Sequence, residues 1–358
     1  MRHFPNKIAE IISQSQLRLN AISKMSGVSH TYLTKLVQGQ INRPGKDKLA
    51  SILLALNFSI ADINSVLARY DYRPLNELDI PGVLQNNRKR RIEGSTLSLY
   101  DDLHVKLLLS PMERLGGAKI LVKNTPSVLF MPEALYIPRG GPRDINEEAG
   151  AFHVALSRAL FKERKAIFHK SQDMGSRFET YICRECFKAY LRAHLQAPCP
   201  ERMLVVEYIA EAAAAMLRAP QLHLLRIIER CTYFDYQIQG ADRKSPKVFY
   251  FGRKAHTYDG QSAQLHLQGF TSDAPAIISL FMQETEYCRK ASLKHLEADY
   301  PHRLVDYLVD LFHVQGLGQA LERLITKKGT PLNDSAHPKV RPSVRMTQIQ
   351  RRRGNETT

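Results

Sequence analysis

"SKMSGVSHTYLTKLVQGQINRP", residues 23–44, sets Gly27 and Gly39 at either end of a segment whose apolar residues recur at helical spacing. Gly27 suits the left-handed conformation that ends a helix. Val28 would then turn into the core, and the Ser29 hydroxyl would cap the next helix. Leu33 and Leu36, with Val37, form the expected inner stripe of that helix. His30, Thr31, Tyr32, Thr34, Lys35 and Gln38 are left on or near the outside. The segment therefore predicts two helices joined by a tight turn, the second presenting a hydrogen-bonding and cationic face.

The flanking sequence extends this into a small helical set. Phe4, Ile8, Ile11 and Ile12 recur at helical spacing, as do Leu49, Ile52, Leu53 and Leu56, and then Ile63, Val66, Leu67 and Tyr70. Ser59 followed by Asp62 makes a capping pair for the last of these helices, and "YRPL" at 72–75 closes it. Residues 1–75 are thus expected to be an all-α domain.

Beyond it the periodicity weakens over 76–97, where Pro81, Gly82 and the basic run "RKRR" at 88–91 read as a basic interdomain linker, its cluster either touching DNA phosphates beside the first domain or simply solvated. From 98 to 326 the pattern is mixed. "AKILVK" (118–123), "PSVLF" (126–130), "CTYFDYQI" (231–238), "KVFYFG" (247–252) and "QLHLQGF" (264–270) have strand character, while 202–218, 274–290 and 303–313 have helical spacing. Ser272-Asp273 is the expected cap of the second of those helices, with Pro275 in its first turn. An α/β or α+β domain follows. Residues 327–358, with Pro331, Pro338, Pro342 and "RRR" at 351–353, read as a disordered basic tail.

Composition narrows the partners. With 358 residues the chain can bury a large core, and 51 Lys plus Arg against 35 Asp plus Glu give a formal charge of +16, which favours an anionic partner. The most apolar helix-like run, "MLVVEYIAEAAAAML", carries two glutamates and is short for a bilayer, and no secretory segment follows Met1. Five scattered cysteines do not suggest a secreted disulfide scaffold. The expectation is a soluble, cytoplasmic, nucleoid-associated protein without a membrane partner.

A major groove admits one helix such as the predicted 30–38 segment, with its first residues and those one turn on reaching base edges. His30, Thr31 and Lys35 take those places. Ser29 and the amides at the helix start can hold a phosphate, Tyr32 can support the base readers or pack on the sugar-phosphate chain, and Asn42, Arg43, Lys46 and Lys48 supply donors from the following loop.

On these residues the stretch 4–70 resembles the lambda-repressor/Cro-type (XRE-like) helix-turn-helix domain of phage and bacterial regulators. The family's turn matches Gly27, Val28 and Ser29, its glycine after the recognition helix matches Gly39, and its Arg-Pro before the fourth helix matches Arg43-Pro44. The resemblance covers about a fifth of the chain. It implies base-reading places for His30, Thr31 and Lys35 and a backbone-contact place for Arg43. Leu19 stands where the family often has a phosphate-bracing Gln, and Val37-Gln38 where it often has Glu before the glycine.

In the second domain "CRECFKAYLRAHLQAPC" carries Cys183, Cys186, His194 and Cys199, donors suited to tetrahedral zinc although their spacing is not that of the common fingers. The bland alternative is that Cys183, Phe187, Leu191 and Leu195, four apart, form one apolar helical stripe with ordinary core thiols. Asp235, Tyr236, Arg253 and His256, with Arg230 and His266, fall on or beside adjacent predicted strands. They are candidates to line a ligand pocket, against the reading that they are simply the wet face of a sheet. No H-E-x-x-H, G-x-S-x-G or Walker loop is present, and no catalytic residues are assigned.

The expected protein is multi-domain: an all-α lambda-repressor-like helix-turn-helix domain followed by an α/β or α+β domain. Its expected function is sequence-specific binding of a double-stranded DNA operator as a homodimeric transcriptional regulator, with a small-molecule effector for the second domain and no enzyme activity. A nucleic-acid-targeted enzyme in 98–326 and a defence or mobile-element interaction protein are the alternatives.

Overall fold

The structure is a computed structural model and describes residues 7–15, 17–91, 95–99, 102–137, 147–195, 199–229, 231–232, 235–251 and 267–329. It opens with five short helices, α1 (Lys7–Gln14), α2 (Leu19–Ser26), α3 (His30–Val37), α4 (Lys46–Ala55) and α5 (Ile60–Ala68). Ile8, Ile22, Leu33, Leu36, Leu49, Ile52, Leu53, Ile63 and Leu67 are fully buried together, so the helical spacing becomes one core. Val37 departs from expectation: it is exposed, because Leu33 and Leu36 alone complete the inward stripe. Ser59 caps α5 through the Asp62 N–H at 3.1 Å and donates its hydroxyl to the Asp62 carboxylate at 2.6 Å.

Residues 76–97, expected as a linker, are structured through most of their length. A 3-10 turn (Glu77–Asp79) leads into α6 (Ile80–Lys89). Asn76 and Asp79 cap that turn reciprocally. Val83 is buried, and the Asn86 side-chain amide donates to Ser51 Oγ at 3.1 Å and to the Asp47 carboxylate at 3.3 Å on α4. The sequence pattern hid this helix because its inward side is partly amide: Asn86 and Asn87 are buried alongside Val83.

The chain continues through β1 (Ser95–Leu99), α7 (Asp102–Glu113), β2 (Lys119–Lys123), a 3-10 turn (Val128–Phe130), α8 (Glu133–Tyr136), α9 (Glu147–Asp173), β3 (Phe178–Cys183), α10 (Arg184–Leu195), α11 (Cys199–Arg218) and β4 (His223–Ile228). It ends with β5 (Asp235–Gln239), β6 (Lys247–Phe251), β7 (Leu267–Ser272), α12 (Pro275–Lys290), α13 (Lys294–Glu297), α14 (His302–His313) and α15 (Gly318–Gly329). The expected strand at 126–130 is instead the 3-10 turn capped by Ser127. The expected Ser272-Asp273 cap is redirected: Ser272 Oγ accepts from the Ala274 N–H, and Asp273 pairs with Lys247 at 2.7 Å. Residues 330–358, most of the expected basic tail, lie outside the described residues.

The described strands form one mixed seven-stranded sheet in the order β1-β7-β6-β5-β2-β3-β4. β2, β3 and β4 run parallel, and the other neighbours pair antiparallel. The parallel trio is reached through α9 and then through α10 and α11, the long crossovers that parallel pairing demands. An α/β architecture is therefore present. α10 packs on β3 and α11 on β4, with α15 against α11 and α14 against α15, around a second core that includes Phe187, Val205, Ile209, Ile227, Leu308 and Phe312.

The N-terminal helices do not stand apart. Their core runs on into Leu103 and Leu107 of α7 and Ala149, Phe152, Leu156 and Leu160 of α9. Just beyond, a buried ionic knot ties α7, β2 and α9. The Glu113 carboxylate accepts from Arg164 Nε and Nη2 at 2.8 Å each and from Lys119 Nζ at 2.6 Å, while Arg164 Nη1 donates to the Tyr136 hydroxyl at 2.6 Å. Burial alone would raise the Glu113 pKa, but Arg164 and Lys119 hold it down to about 2. Among the described residues no helix is long and apolar enough to cross a membrane.

Candidate nucleic-acid interface

The α2–α3 turn forms as its residues require. Gly27 adopts φ 71° and donates its N–H to the Ser23 carbonyl at 3.0 Å, closing α2. Ser23 Oγ donates to the Val28 carbonyl at 2.7 Å, Val28 is buried, and Ser29 accepts the Tyr32 N–H at 3.3 Å as the cap of α3. A methyl group on Gly27 would lie 1.9 Å from the Asn86 carbonyl oxygen. The residue before Val28 must therefore be glycine for a second reason beyond its φ: the end of α6 packs directly against it.

This packing carries the basic run onto the turn. The Arg91 N–H donates to the Lys24 carbonyl at 2.9 Å, so the chain leaving α6 is bonded to the end of α2. The result is a cleft of about 420 Å³ at the start of α3. It is lined by Lys24, Lys48, Lys89 and Arg91 together with Ser29, Tyr32 and their neighbours, and the described lining includes no Asp or Glu. Cations converge here on the end of a helix whose first amides and macrodipole also favour an anion.

Each expected contact residue can now be located. His30, Thr31 and Lys35 are exposed on α3, with Thr34 Oγ1 donating to the His30 carbonyl at 3.0 Å beside them. Ser29 and Asn42 are exposed as well. Arg43 is exposed but tethered, donating to the Asp71 carbonyl at 3.3 Å and lying 4.7 Å over the Tyr72 ring. Tyr32 turns partly inward: its hydroxyl accepts the Gly45 N–H at 3.1 Å, and Lys48 Nζ sits 4.2 Å over its ring. Burial raises the Tyr32 pKa, so the hydroxyl remains neutral beside the cations. Lys46 is engaged within the fold. Its ammonium is held by Asp79 at 2.6 Å and by the Pro74 carbonyl at 3.0 Å, which makes it a clamp between α4 and the 3-10 turn before α6. Lys89 and Arg91 line the cleft at the start of α3, and the docking of α6 brings them there.

Of the expected pocket residues on the sheet, the two that fall among the described residues, Asp235 and Tyr236, are both buried. Tyr236 is fully buried in β5, donates to Thr285 Oγ1 at 3.0 Å and packs edge-on to Phe281 at 4.9 Å; it is a core residue under α12. Asp235 is buried at the first position of the same strand. Arg230, Arg253, His256 and His266 lie outside the described residues.

The cysteine motif also resolves differently from its linear order. Cys183 ends β3 rather than starting a helical stripe, while Phe187, Leu191 and Leu195 form that stripe on α10. His194 is two turns beyond Cys186, with Nδ1 donating to the Tyr190 carbonyl at 2.9 Å, and is replaced in the cluster by Cys231. The sulfurs of Cys183, Cys186 and Cys231 all lie within 4.8 Å of one another. The Cys199 side chain lies outside the described residues. The Cys186 and Cys231 sulfurs are 3.5 Å apart, with either thiol able to donate. The adjoining Cys186 thiol lowers the Cys183 pKa against the effect of burial, while the Cys183 sulfur and burial both raise that of Cys186. These three residues could hold a metal ion; Cys231, separated by a whole α-helical crossover, carried no local signal.

No family model matches the sequence, and neither the curated proteins nor the solved structures give a match.

Proposed function

We propose that the protein is a sequence-specific double-stranded DNA-binding regulator in which α2 and α3 form a helix-turn-helix. In this reading α3 enters the major groove, with His30, Thr31 and Lys35 toward base edges. The observation that carries it is the cleft at the start of α3, where Lys48, Lys89 and Arg91 stand around an exposed helix N-terminus of matching sign. Phosphates seated there would set the register of α3 on the duplex, and the side chains of α3 would then choose among sequences.

The eight residues of α3 span too few base pairs for specific affinity alone, so the proposed binding unit is a homodimer reading a pseudo-palindrome. The α/β part carries the proposed dimerisation and effector roles, with Asp235 and Tyr236 no longer among the candidate ligand contacts.

Selection from a random duplex pool at physiological salt tests the proposal, using the full chain beside a Thr31→Ala/Lys35→Ala variant. Enrichment of a two-fold site by the full chain, lost in the variant, is the expected result; each lost base contact should cost about 1–3 kcal/mol of discrimination. Salt-sensitive binding to every sequence without enrichment would reject sequence-specific reading by α3.

A further inference from the structure

Cys183 is the last residue of β3, Cys186 lies in the first turn of α10, and Cys231 follows β4. β3 and β4 are parallel neighbours, with Cys183 opposite Ile228 in register. The three thiols thus gather at the carboxyl ends of adjacent parallel strands, where open α/β sheets characteristically place ligands. Their sulfurs fall within 4.8 Å of one another, and the Cys186–Cys231 separation is 3.5 Å. Zinc–sulfur bonds of roughly 2.3 Å in a tetrahedron place two sulfurs roughly 3.8 Å apart, so adjustments of an ångström or less would bring all three onto one ion.

We propose that Cys183, Cys186 and Cys231 form a thiolate site for a thiophilic divalent metal ion of the zinc class. Among the described residues no carboxylate or imidazole joins the three sulfurs. An all-sulfur set favours zinc or cadmium over magnesium or calcium, whose ligands are oxygens. Cys183 and Cys186 are buried, whereas Cys231 is half-buried and provides the side from which an ion enters. As each sulfur–metal bond forms, that thiol gives up its proton to the buffer; binding therefore weakens as pH falls. Cys288 serves as an internal control: it is buried in the same apolar cluster but is not one of the three converging thiols. The proposal is independent of DNA reading by α3.

The test is a titration of the reduced, metal-free full-length protein with Co²⁺ under anaerobic conditions. The expected result is a near-ultraviolet thiolate-to-cobalt charge-transfer band that saturates at one equivalent and is abolished by added Zn²⁺. Cys231→Ser should weaken Co²⁺ binding by at least ~10-fold, the lower end of what even supporting residues of metal sites contribute, while Cys288→Ser should leave it unchanged. Should the Cys183 and Cys186 variants fail to fold, alkylation of Cys231 in the unaltered protein supplies the second measurement. Zn²⁺ should slow its reaction with iodoacetamide, and Mg²⁺ should not. Absence of the charge-transfer band, or a band and an alkylation rate indifferent to Cys231 and to Zn²⁺, overturns the proposal. So does rapid air oxidation to a Cys186–Cys231 disulfide in a protein that takes up no metal.

Discussion

The molecule handles its basic side chains in two opposite ways. Between α7, β2 and α9, Lys119 and Arg164 are buried and converge on one carboxylate, Glu113, which accepts hydrogen bonds from both. At the start of α3, Lys48, Lys89 and Arg91 line an open cleft whose described walls hold no carboxylate. The first arrangement holds both cations on an internal acid and serves the fold. The second keeps its charge at the surface, where an anion from outside can meet it. A net charge of +16 does not distinguish the two; the position of the acids does.

The sharpest way to break the comparison is to remove the carboxylate from the internal knot. Glu113→Gln leaves two buried cations facing a neutral amide, and denaturant unfolding should show a loss of about 3–5 kcal/mol. Adding Lys119→Met should recover part of that loss. The same knot sets an acid limit. Because the folded-state Glu113 pKa of about 2 lies below its ordinary 4.5, its stabilisation is present above pH 4.5 and is lost as pH falls toward 2. Thermal melts across that window should fall more steeply for the unaltered protein than for Glu113→Gln.

A smaller effect probes the joint that brings α6 to the cleft. Gly27→Ala combines a left-handed φ with a methyl group 1.9 Å from the Asn86 carbonyl, and should cost at least ~2 kcal/mol in the same assay. Its DNA binding should also become less salt-dependent as Lys89 and Arg91 move away. Replacing Lys89 and Arg91 by Ala directly should change stability by no more than ~0.5 kcal/mol. The slope of log affinity against log salt should then drop by about 0.9 for each phosphate contact removed. Lys46→Ala supplies the contrast: a stability loss of up to ~1 kcal/mol from its Asp79 pair, with the salt slope unchanged. A fall in salt slope for Lys46→Ala equal to that for Lys89→Ala would erase the distinction between clamp and cleft.

Much of the N-terminal part was legible because its signals are local. Gly27, Val28, Ser29 and the Ser59–Asp62 pair act within a few residues of themselves, and the apolar spacing of α5 needs only one face to be buried. α6 was not legible, since its buried Asn86 is justified only by Asp47 and Ser51 on another helix. β3 and β4 escaped notice for a related reason. Strands in a parallel sheet are covered on both faces, and β3 is buried at every position, polar residues included, so no alternation marks it. Tyr236 looked like a pocket residue because a strand does not reveal which of its faces a helix will cover; α12 covers that one.

By itself, the sequence determined the elements whose cause lies within one turn of helix or one cap: the α2–α3 turn, the exposed polar side of α3, the helical spacing of α11, α12 and α14, and the excess of positive charge. Tertiary structure alone decided which charges and thiols meet. Lys46 went to Asp79, Lys89 and Arg91 to the α3 cleft, and Cys231 to Cys183 and Cys186. The reason is physical: a cap or an amphipathic stripe is satisfied by neighbours along the chain, whereas an ion pair, an anion cleft or a thiol cluster depends on distances between segments that only the packed core brings together.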